Sequence, residues 1–114
     1  MGVRGSCHCG RIGFSFDAAP AEAVECNCSI CRRRGSLLAG MPADQFRLET
    51  PREDLATYTF NKHAIQHHFC AVCGCAPFSE GIGPGGKPMV MVNLRCAELH
   101  LDAIRRIPFD GASL

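Results

Sequence analysis

The chain has 114 residues, nine of them cysteine, and a formal net charge of +1 at neutral pH. This length favours one domain spanning residues 1–114, in which a bound metal or disulfides would support a modest core. The near-neutral charge argues against nucleic-acid binding, and no apolar run could span a membrane or form a signal peptide, so a cytoplasmic location is expected.

The first half of the chain predicts short strands joined by tight turns. Cys7 and Cys9 are two residues apart, so in a strand both sulfur atoms would lie on one face, and Gly10 would turn the chain away. Alternation of apolar residues over 12–16 predicts a half-buried strand. Further short strands are expected at 23–25, 36–41 and 46–48.

The second half predicts more strands and a metal-type knuckle. Cys70–Gly74 is expected to form a tight turn, with Gly74 at the positive φ that such turns require. Apolar spacing predicts a helix over 97–104, and 105–114 has no clear period. Strands are predicted at 55–60, 64–69, 77–80 and 89–94. About seven strands and two or three helical turns give a mainly β class.

The cysteines favour metal binding over disulfides, because their number is odd and they cluster at C-x-C and C-x-x-C spacings without a secretion signal. The four-cysteine set, Cys7, Cys9, Cys70 and Cys73, supplies the complete ligand shell of a structural zinc ion. His8 would point away from that metal and is expected at the surface. This zinc would join the start of the chain to the knuckle in its second half.

The three-cysteine set, Cys26, Cys28 and Cys31, supplies only three thiolates to a metal. Its last member is expected on a short helix that Ser29 caps and Gly35 ends. One interpretation is a second structural zinc with a fourth ligand from elsewhere in the chain. Candidates for that ligand are Cys75, Cys96, His63, His67 and His68. The other interpretation is a catalytic zinc whose fourth position takes water or a substrate thiol.

Neighbouring charged residues favour the catalytic interpretation. Arg32, Arg33 and Arg34 follow the three-cysteine set directly and would bring positive charge to an anionic site, where a substrate carboxylate could bind. A solvated helix face would also explain this run. His67 and His68 are adjacent in a predicted strand, so only one can face a given site, where it could transfer a proton.

These motifs together resemble those of the glutathione-dependent formaldehyde-activating enzymes, also described as the CENP-V/GFA domain family. Their order and spacing cover most of the chain. The matching segments are G-S-C-H-C-G, C-N-C-S-I-C-R-R-R-G, H-F-C-A-V-C-G with Phe78-Ser79 after it, V-N-L-R-C, and F-D-G at 109–111. The resemblance implies an Mss4-like fold of folded β-sheets with short helical turns and zinc knuckles.

The resemblance also implies an activity and two zinc ions per chain. The structural ion would bind Cys7, Cys9, Cys70 and Cys73, and the catalytic ion would bind Cys26, Cys28 and Cys31. The implied activity is that of a carbon–sulfur lyase acting on S-hydroxymethylglutathione, or in reverse the condensation of glutathione with formaldehyde. The expected partners are therefore a small-molecule thiol and an aldehyde.

Two rival functions stay open on the sequence. A non-catalytic zinc module would use both metals structurally and bind a partner protein. A thiol-redox protein would use Cys75 or Cys96, which belong to neither set and are otherwise expected to be buried, inert thiols. The apolar run at 89–94 fits either a core strand or an edge through which a homodimer forms.

Overall fold

The computed structural model describes residues 2–114. Within them the chain forms ten short strands, one α-helix and several 3₁₀ turns. The strands are β1 (Val3–Ser6), β2 (Gly13–Phe16), β3 (Glu22–Cys26), β4 (Leu38–Pro42), β5 (Phe46–Leu48), β6 (Leu55–Tyr58), β7 (Gln66–Cys70), β8 (Phe78–Ile82), β9 (Pro88–Asn93) and β10 (Arg105–Phe109), and the helix is α1 (Ser29–Arg34). No helix in this range is long and apolar enough to cross a membrane.

The strands form two sheets. Three of them make an antiparallel sheet in the order β1-β2-β5. The other seven are ordered β10-β3-β4-β9-β8-β7-β6, with every neighbouring pair antiparallel except β10 and β3. The predicted class, mainly β with short helical turns, is confirmed. Because β9 lies between β4 and β8, it is a central core strand and not the edge on which a homodimer was considered.

Aromatic rings in the core join the two sheets. The ring of Phe46 in β5 lies 5.6 Å from that of Phe14 in β2 and 4.7 Å from that of Phe78 in β8. Phe14 and Phe16 are fully buried in the small sheet, as is Val92 in the large one. Each such side chain contributes about 1.5–3 kcal/mol through burial. The small sheet therefore covers one face of the large sheet.

The other face of the large sheet is turned towards a cleft. In β9, Val90 and Val92 are buried in the core, whereas Met91 between them lines the cleft. Likewise in β7, His68 is buried and His67 lines the cleft. Successive strand residues point to opposite faces, so the same strands build both the core and the cleft.

The first cysteine pair lies in a turn and not in a strand, so that prediction is wrong. β1 ends at Ser6, and the N–H of Gly10 donates to the carbonyl of Cys7 at 3.2 Å. The N–H of Cys7 in turn donates to the carbonyl of Ile12 at 3.0 Å. Gly10 adopts φ 84°, which the turn requires. The C-x-C spacing fits a knuckle as well as a strand, and the backbone hydrogen bonds select the knuckle.

The last part of the chain differs most from prediction. The predicted helix over 97–104 is wrong, because that range contains only a 3₁₀ turn at Leu101–Ala103. Its apolar spacing instead reflects burial of Ile104 in the core. Residues 105–109 form β10, which was not predicted. It pairs in parallel with β3, 83 residues earlier, and no local period could reveal that partner.

Candidate metal centres and cleft

The four-cysteine set comes together in the structure. Its sulfur atoms all lie within 4.8 Å of one another. The Cys7 and Cys9 sulfurs are 3.7 Å apart, and those of Cys9 and Cys70 are 3.6 Å apart. Tetrahedral zinc, with Zn–S bonds of about 2.3 Å, separates its sulfur ligands by about 3.8 Å. A disulfide needs about 2.05 Å, so the spacing fits one zinc ion.

Backbone N–H groups of both knuckles point at these sulfur atoms. The N–H of Ile12 donates to Cys7 Sγ at 3.3 Å. The N–H groups of Val72 and Cys73 each donate to Cys70 Sγ at 3.4 Å. The N–H of Cys73 is the main group that lowers the pKa of Cys70, because hydrogen bonds to a thiolate favour the charged form. The N–H groups of the second knuckle therefore favour the thiolate form of Cys70, the form that binds zinc.

The three-cysteine set also assembles, with its sulfur atoms within 4.8 Å of one another. Cys26 ends β3, Cys28 is the N-cap residue of α1, and Cys31 lies in the first turn of that helix. The prediction that Ser29 caps the helix is therefore wrong by one residue. Gly35 ends the helix at φ 68°, as predicted.

No fourth protein ligand joins the three-cysteine set among residues 2–114. His68 is not available as a ligand, because both of its ring nitrogens form other hydrogen bonds. The side chain is 3% exposed, and its ring nitrogens lie 2.8 Å from Thr57 Oγ1 and 2.6 Å from Glu80 Oε1. His63 Nδ1 lies 2.8 Å from Thr59 Oγ1. Within the described chain, the metal position is therefore open on one side.

Cys75 and Cys96 lie beside the four-cysteine set. The carbonyl of Cys75 accepts the N–H of Cys70 at 2.9 Å. Burial, followed by the nearby Cys75, raises the pKa of Cys96 to about 11. A half-buried thiol that stays protonated at neutral pH is a weak nucleophile. Both thiols are partly exposed and not fully buried as expected, and the inertness of Cys96 stays a prediction.

The chemistry of the three-cysteine set fits a bound cation. Burial, followed by the neighbouring Cys28 and Cys26, raises the pKa of Cys31 to about 12. Burial is the largest single influence on the pKa of Cys28 and raises it, but hydrogen bonds from the Cys31 N–H and from the Cys31 and Cys26 thiols together outweigh burial, so the net shift is downward. Three thiolates at this spacing repel one another unless a metal ion compensates their charge. The donor set therefore suits zinc.

The three-cysteine set lines a cleft of about 710 Å³, within the range of roughly 300–1,000 Å³ typical of small-molecule sites. The base of this cleft is a row of four residues on neighbouring strands, hereafter the floor row. Each pairs with the next in register: Gly40 of β4 with Met91 of β9, Met91 with Ser79 of β8, and Ser79 with His67 of β7.

The segment 109–114 packs against the three-cysteine set. The side-chain amide of Asn27 donates to Asp110 Oδ1 at 2.9 Å, and its carbonyl oxygen accepts the N–H of Ala112 at 2.9 Å. A Cβ atom at Gly111 would lie 2.5 Å from Cys26 Sγ. The segment is therefore part of the candidate metal site. The F-D-G motif was the signal for it in the sequence, but its contact with the cysteines was not predicted.

Comparison with known proteins agrees with these features. The sequence matches the family described as glutathione-dependent formaldehyde-activating enzyme over residues 2–105. The chain belongs to this family. A crystal structure of a Rhodobacter sphaeroides protein, solved as a structural genomics target, is similar, with 28% sequence identity and a TM-score of 0.78. The match covers 92% of this chain and 97% of that one.

In this member of the glutathione-dependent formaldehyde-activating family, the two adjacent histidines have separate environments. They face opposite sides of β7, as their adjacent positions require. His67 lines the cleft and stacks on Phe60, with ring centroids 5.3 Å apart. Burial lowers the pKa of His67, and the positive charge of Arg34 lowers it further. Both influences favour the neutral form of the His67 imidazole.

The arginines of this family member are not where the sequence suggested. None of Arg32, Arg33 and Arg34 lines the large cleft. Arg33 donates to the carbonyl of Ser29 at 2.9 Å, within its own helix. The Arg34 guanidinium lies over the ring of Phe69, 5.9 Å from its centroid, and lines a small adjoining pocket of about 40 Å³. Of the three arginines, only Arg34 lines a pocket that adjoins the cleft.

Proposed function

We propose that this chain is a zinc-dependent carbon–sulfur lyase that acts on a thiol–aldehyde adduct and releases a thiol and an aldehyde. Because the family description names glutathione and formaldehyde, S-hydroxymethylglutathione is the reference substrate. One observation carries the proposal. Three cysteine sulfurs line a ligand-sized cleft, and no fourth protein ligand joins them among residues 2–114.

Two zinc ions per chain are part of the proposal. When bound to the three-cysteine set, zinc lowers the pKa of a thiol in its open fourth position and so supplies a stable thiolate. The structural ion would be held by Cys7, Cys9, Cys70 and Cys73. The catalytic ion would be held by Cys26, Cys28 and Cys31.

The floor row supplies the remaining chemistry. In the lyase direction the adduct hydroxyl loses its proton, its oxygen becomes the carbonyl oxygen, and the carbon–sulfur bond breaks with the electron pair passing to sulfur. We propose that His67 accepts the hydroxyl proton, because its imidazole lines the cleft and its lowered pKa favours the neutral form. Ser79, its register partner, would donate a hydrogen bond to the carbonyl oxygen. In the reverse direction His67 returns the proton.

A non-catalytic zinc module is the weaker alternative. Such a module needs a saturated second site, whereas the three-cysteine set has only three protein ligands within the described residues. Apolar side chains also lie exposed in the cleft beside it, among them Ile65 and Phe109. An open metal position beside uncovered apolar surface favours a small-molecule ligand.

The proposal is tested with cobalt-substituted protein. The thiolate-to-cobalt charge-transfer bands report the ligands of each site. Added thiol should change the bands of one site only, and Cys31→Ser should remove that change while Cys96→Ser keeps it. Zinc-loaded protein should then release formaldehyde from S-hydroxymethyl thiols faster than the Cys31→Ser variant does. Two sites that do not respond to any thiol would favour the non-catalytic module.

A further inference from the structure

Away from the cysteines the cleft is mostly apolar. Its lining includes Val24, Leu38, Phe60, Met91 and Phe109 from five separate parts of the chain. Phe109 is 47% exposed, although large apolar side chains are normally covered. Exposed apolar surface gathered in one concave site marks a place where an apolar group binds.

Few charged side chains line the cleft. Among its lining residues within 2–114, the ionisable side chains apart from the cysteines are Lys62 and His67, and burial lowers the pKa of His67. No Asp or Glu side chain of the described residues lines it. The nearby Asp110 carboxylate is already hydrogen-bonded to Asn27 and Ser113. Lys62, an exposed loop residue, is therefore the cationic side chain of the cleft, and no carboxylate side chain of the described residues lines it.

Lys62 lies on the opposite side of the floor row from Cys26. It belongs to the loop between β6 and β7, beyond one end of the row, whereas Cys26 ends β3, beyond the other end. Asn61 and His63 on either side of Lys62 both have positive φ, 56° and 55°, so the loop turns tightly there. The floor row crosses three inter-strand spacings, about 14 Å in all.

Glutathione carries more charges than the side chains of this cleft can pair. At neutral pH glutathione carries two carboxylates and one ammonium group, and a charge removed from water needs a partner of opposite sign. Lys62 could pair with one carboxylate, but no Asp or Glu side chain of the described residues lines the cleft to receive the ammonium. A ligand with a long apolar body and one anionic end would leave none of its charges unpaired.

We propose that the substrate of this site is the aldehyde adduct of a thiol that has an apolar body and one terminal anion. The inference rests on the proposed function, since it assumes that the substrate sulfur binds at the three-cysteine set. The apolar body lies along the floor row against Met91, and the anion pairs with Lys62.

The test is a thiol series on the cobalt-substituted protein. The probes are 3-mercaptopropionate, 6-mercaptohexanoate, 8-mercaptooctanoate and glutathione, and the readout is the dissociation constant from the cobalt bands. Each buried methylene should tighten binding about fourfold. We therefore expect 6-mercaptohexanoate to bind at least tenfold more tightly than both 3-mercaptopropionate and glutathione.

Two variants and a matched control locate the contacts. Lys62→Ala should weaken 6-mercaptohexanoate about fivefold and leave neutral hexanethiol unchanged. Ile65→Glu, in the cleft wall, should weaken both thiols at least tenfold. Ile82→Glu is the control, since Ile82 is also an exposed isoleucine but lies outside the cleft. It should bind both thiols as the unmodified protein does.

The outcomes separate this inference from the proposed function. A dissociation constant independent of chain length, or glutathione binding as tightly as 6-mercaptohexanoate, would overturn the apolar substrate and leave the lyase proposal intact. If no thiol changes the cobalt bands, the proposed function fails and this inference fails with it. An affinity that rises with chain length and depends on Lys62 supports both.

Discussion

Replacing Gly111 by alanine is the sharpest test of the three-cysteine set. The added Cβ would lie 2.5 Å from Cys26 Sγ and 3.3 Å from Cys28 Cβ. Non-bonded heavy atoms prefer separations of about 3.5–4.0 Å. The sulfur or the segment that carries residue 111 must therefore move by about 1 Å. Asn27 holds that segment by two hydrogen bonds of 2.9 Å, so it resists the movement.

The expected magnitude follows from the tolerance of a zinc site. Ligand distances in such sites vary by only about 0.2 Å, so a displacement of about 1 Å at one of three ligands is large. We expect Gly111→Ala to weaken zinc at the three-cysteine set by about 10- to 100-fold, as for other changes beside metal ligands. Overpacking should also lower the free energy of unfolding by about 1–3 kcal/mol.

The assay is competition for zinc with a chromophoric chelator. In the Gly111→Ala protein, the chelator should remove one zinc equivalent at a lower concentration than it does in the unmodified protein. It should remove the second equivalent at the same concentration in both proteins. Gly40→Ala is the matched control, because its Cβ would meet nothing closer than Met89 Cε at 4.0 Å. Unchanged zinc affinity in Gly111→Ala, or equal loss from both sites, would refute the packing argument.

Two further predictions concern the division of roles. Cys70→Ser should lower Tm by more than about 10 °C, because a structural zinc carries much of the folding energy of a small domain. Cys31→Ser should lower Tm far less. Equal decreases of Tm in a thermal scan would contradict separate roles for the two sites. Arg34→Ala should move the acidic limb of kcat/KM to higher pH, because removing that positive charge raises the pKa of His67. Arg33→Ala should leave the limb unmoved, and a limb that stays in place in both variants would exclude His67 as the titrating group.

The sequence predicted the parts of the site that depend on local spacing. The knuckle at Cys70–Gly74 follows from its C-x-x-C spacing and a glycine that must adopt positive φ, here 81°. Alternation in β7 predicted that only one of His67 and His68 could face a site. These features involve residues a few positions apart, so their geometry is encoded in the sequence pattern itself.

The cleft could not be predicted in this way. Its floor row joins residues of four strands, and their alignment depends on the register of three strand pairs. Nothing in the local pattern distinguishes Met91, which lines the cleft, from Val90 and Val92, which are buried in the core. The apolar run 89–94 was predicted as a strand, but which of its faces bounds a cleft is a property of the whole sheet.

The role of segment 109–114 follows from a single long-range pairing. The parallel register of β10 with β3 brings Phe109 opposite Cys26, a predicted zinc ligand. Two residues later Gly111 lies against the sulfur of that ligand, where any side chain would collide with it. Asp110 between them accepts the amide of Asn27, which is flanked by Cys26 and Cys28. The F-D-G motif therefore acts as a packing element of the three-cysteine set, and its glycine is required for lack of space, not for backbone conformation.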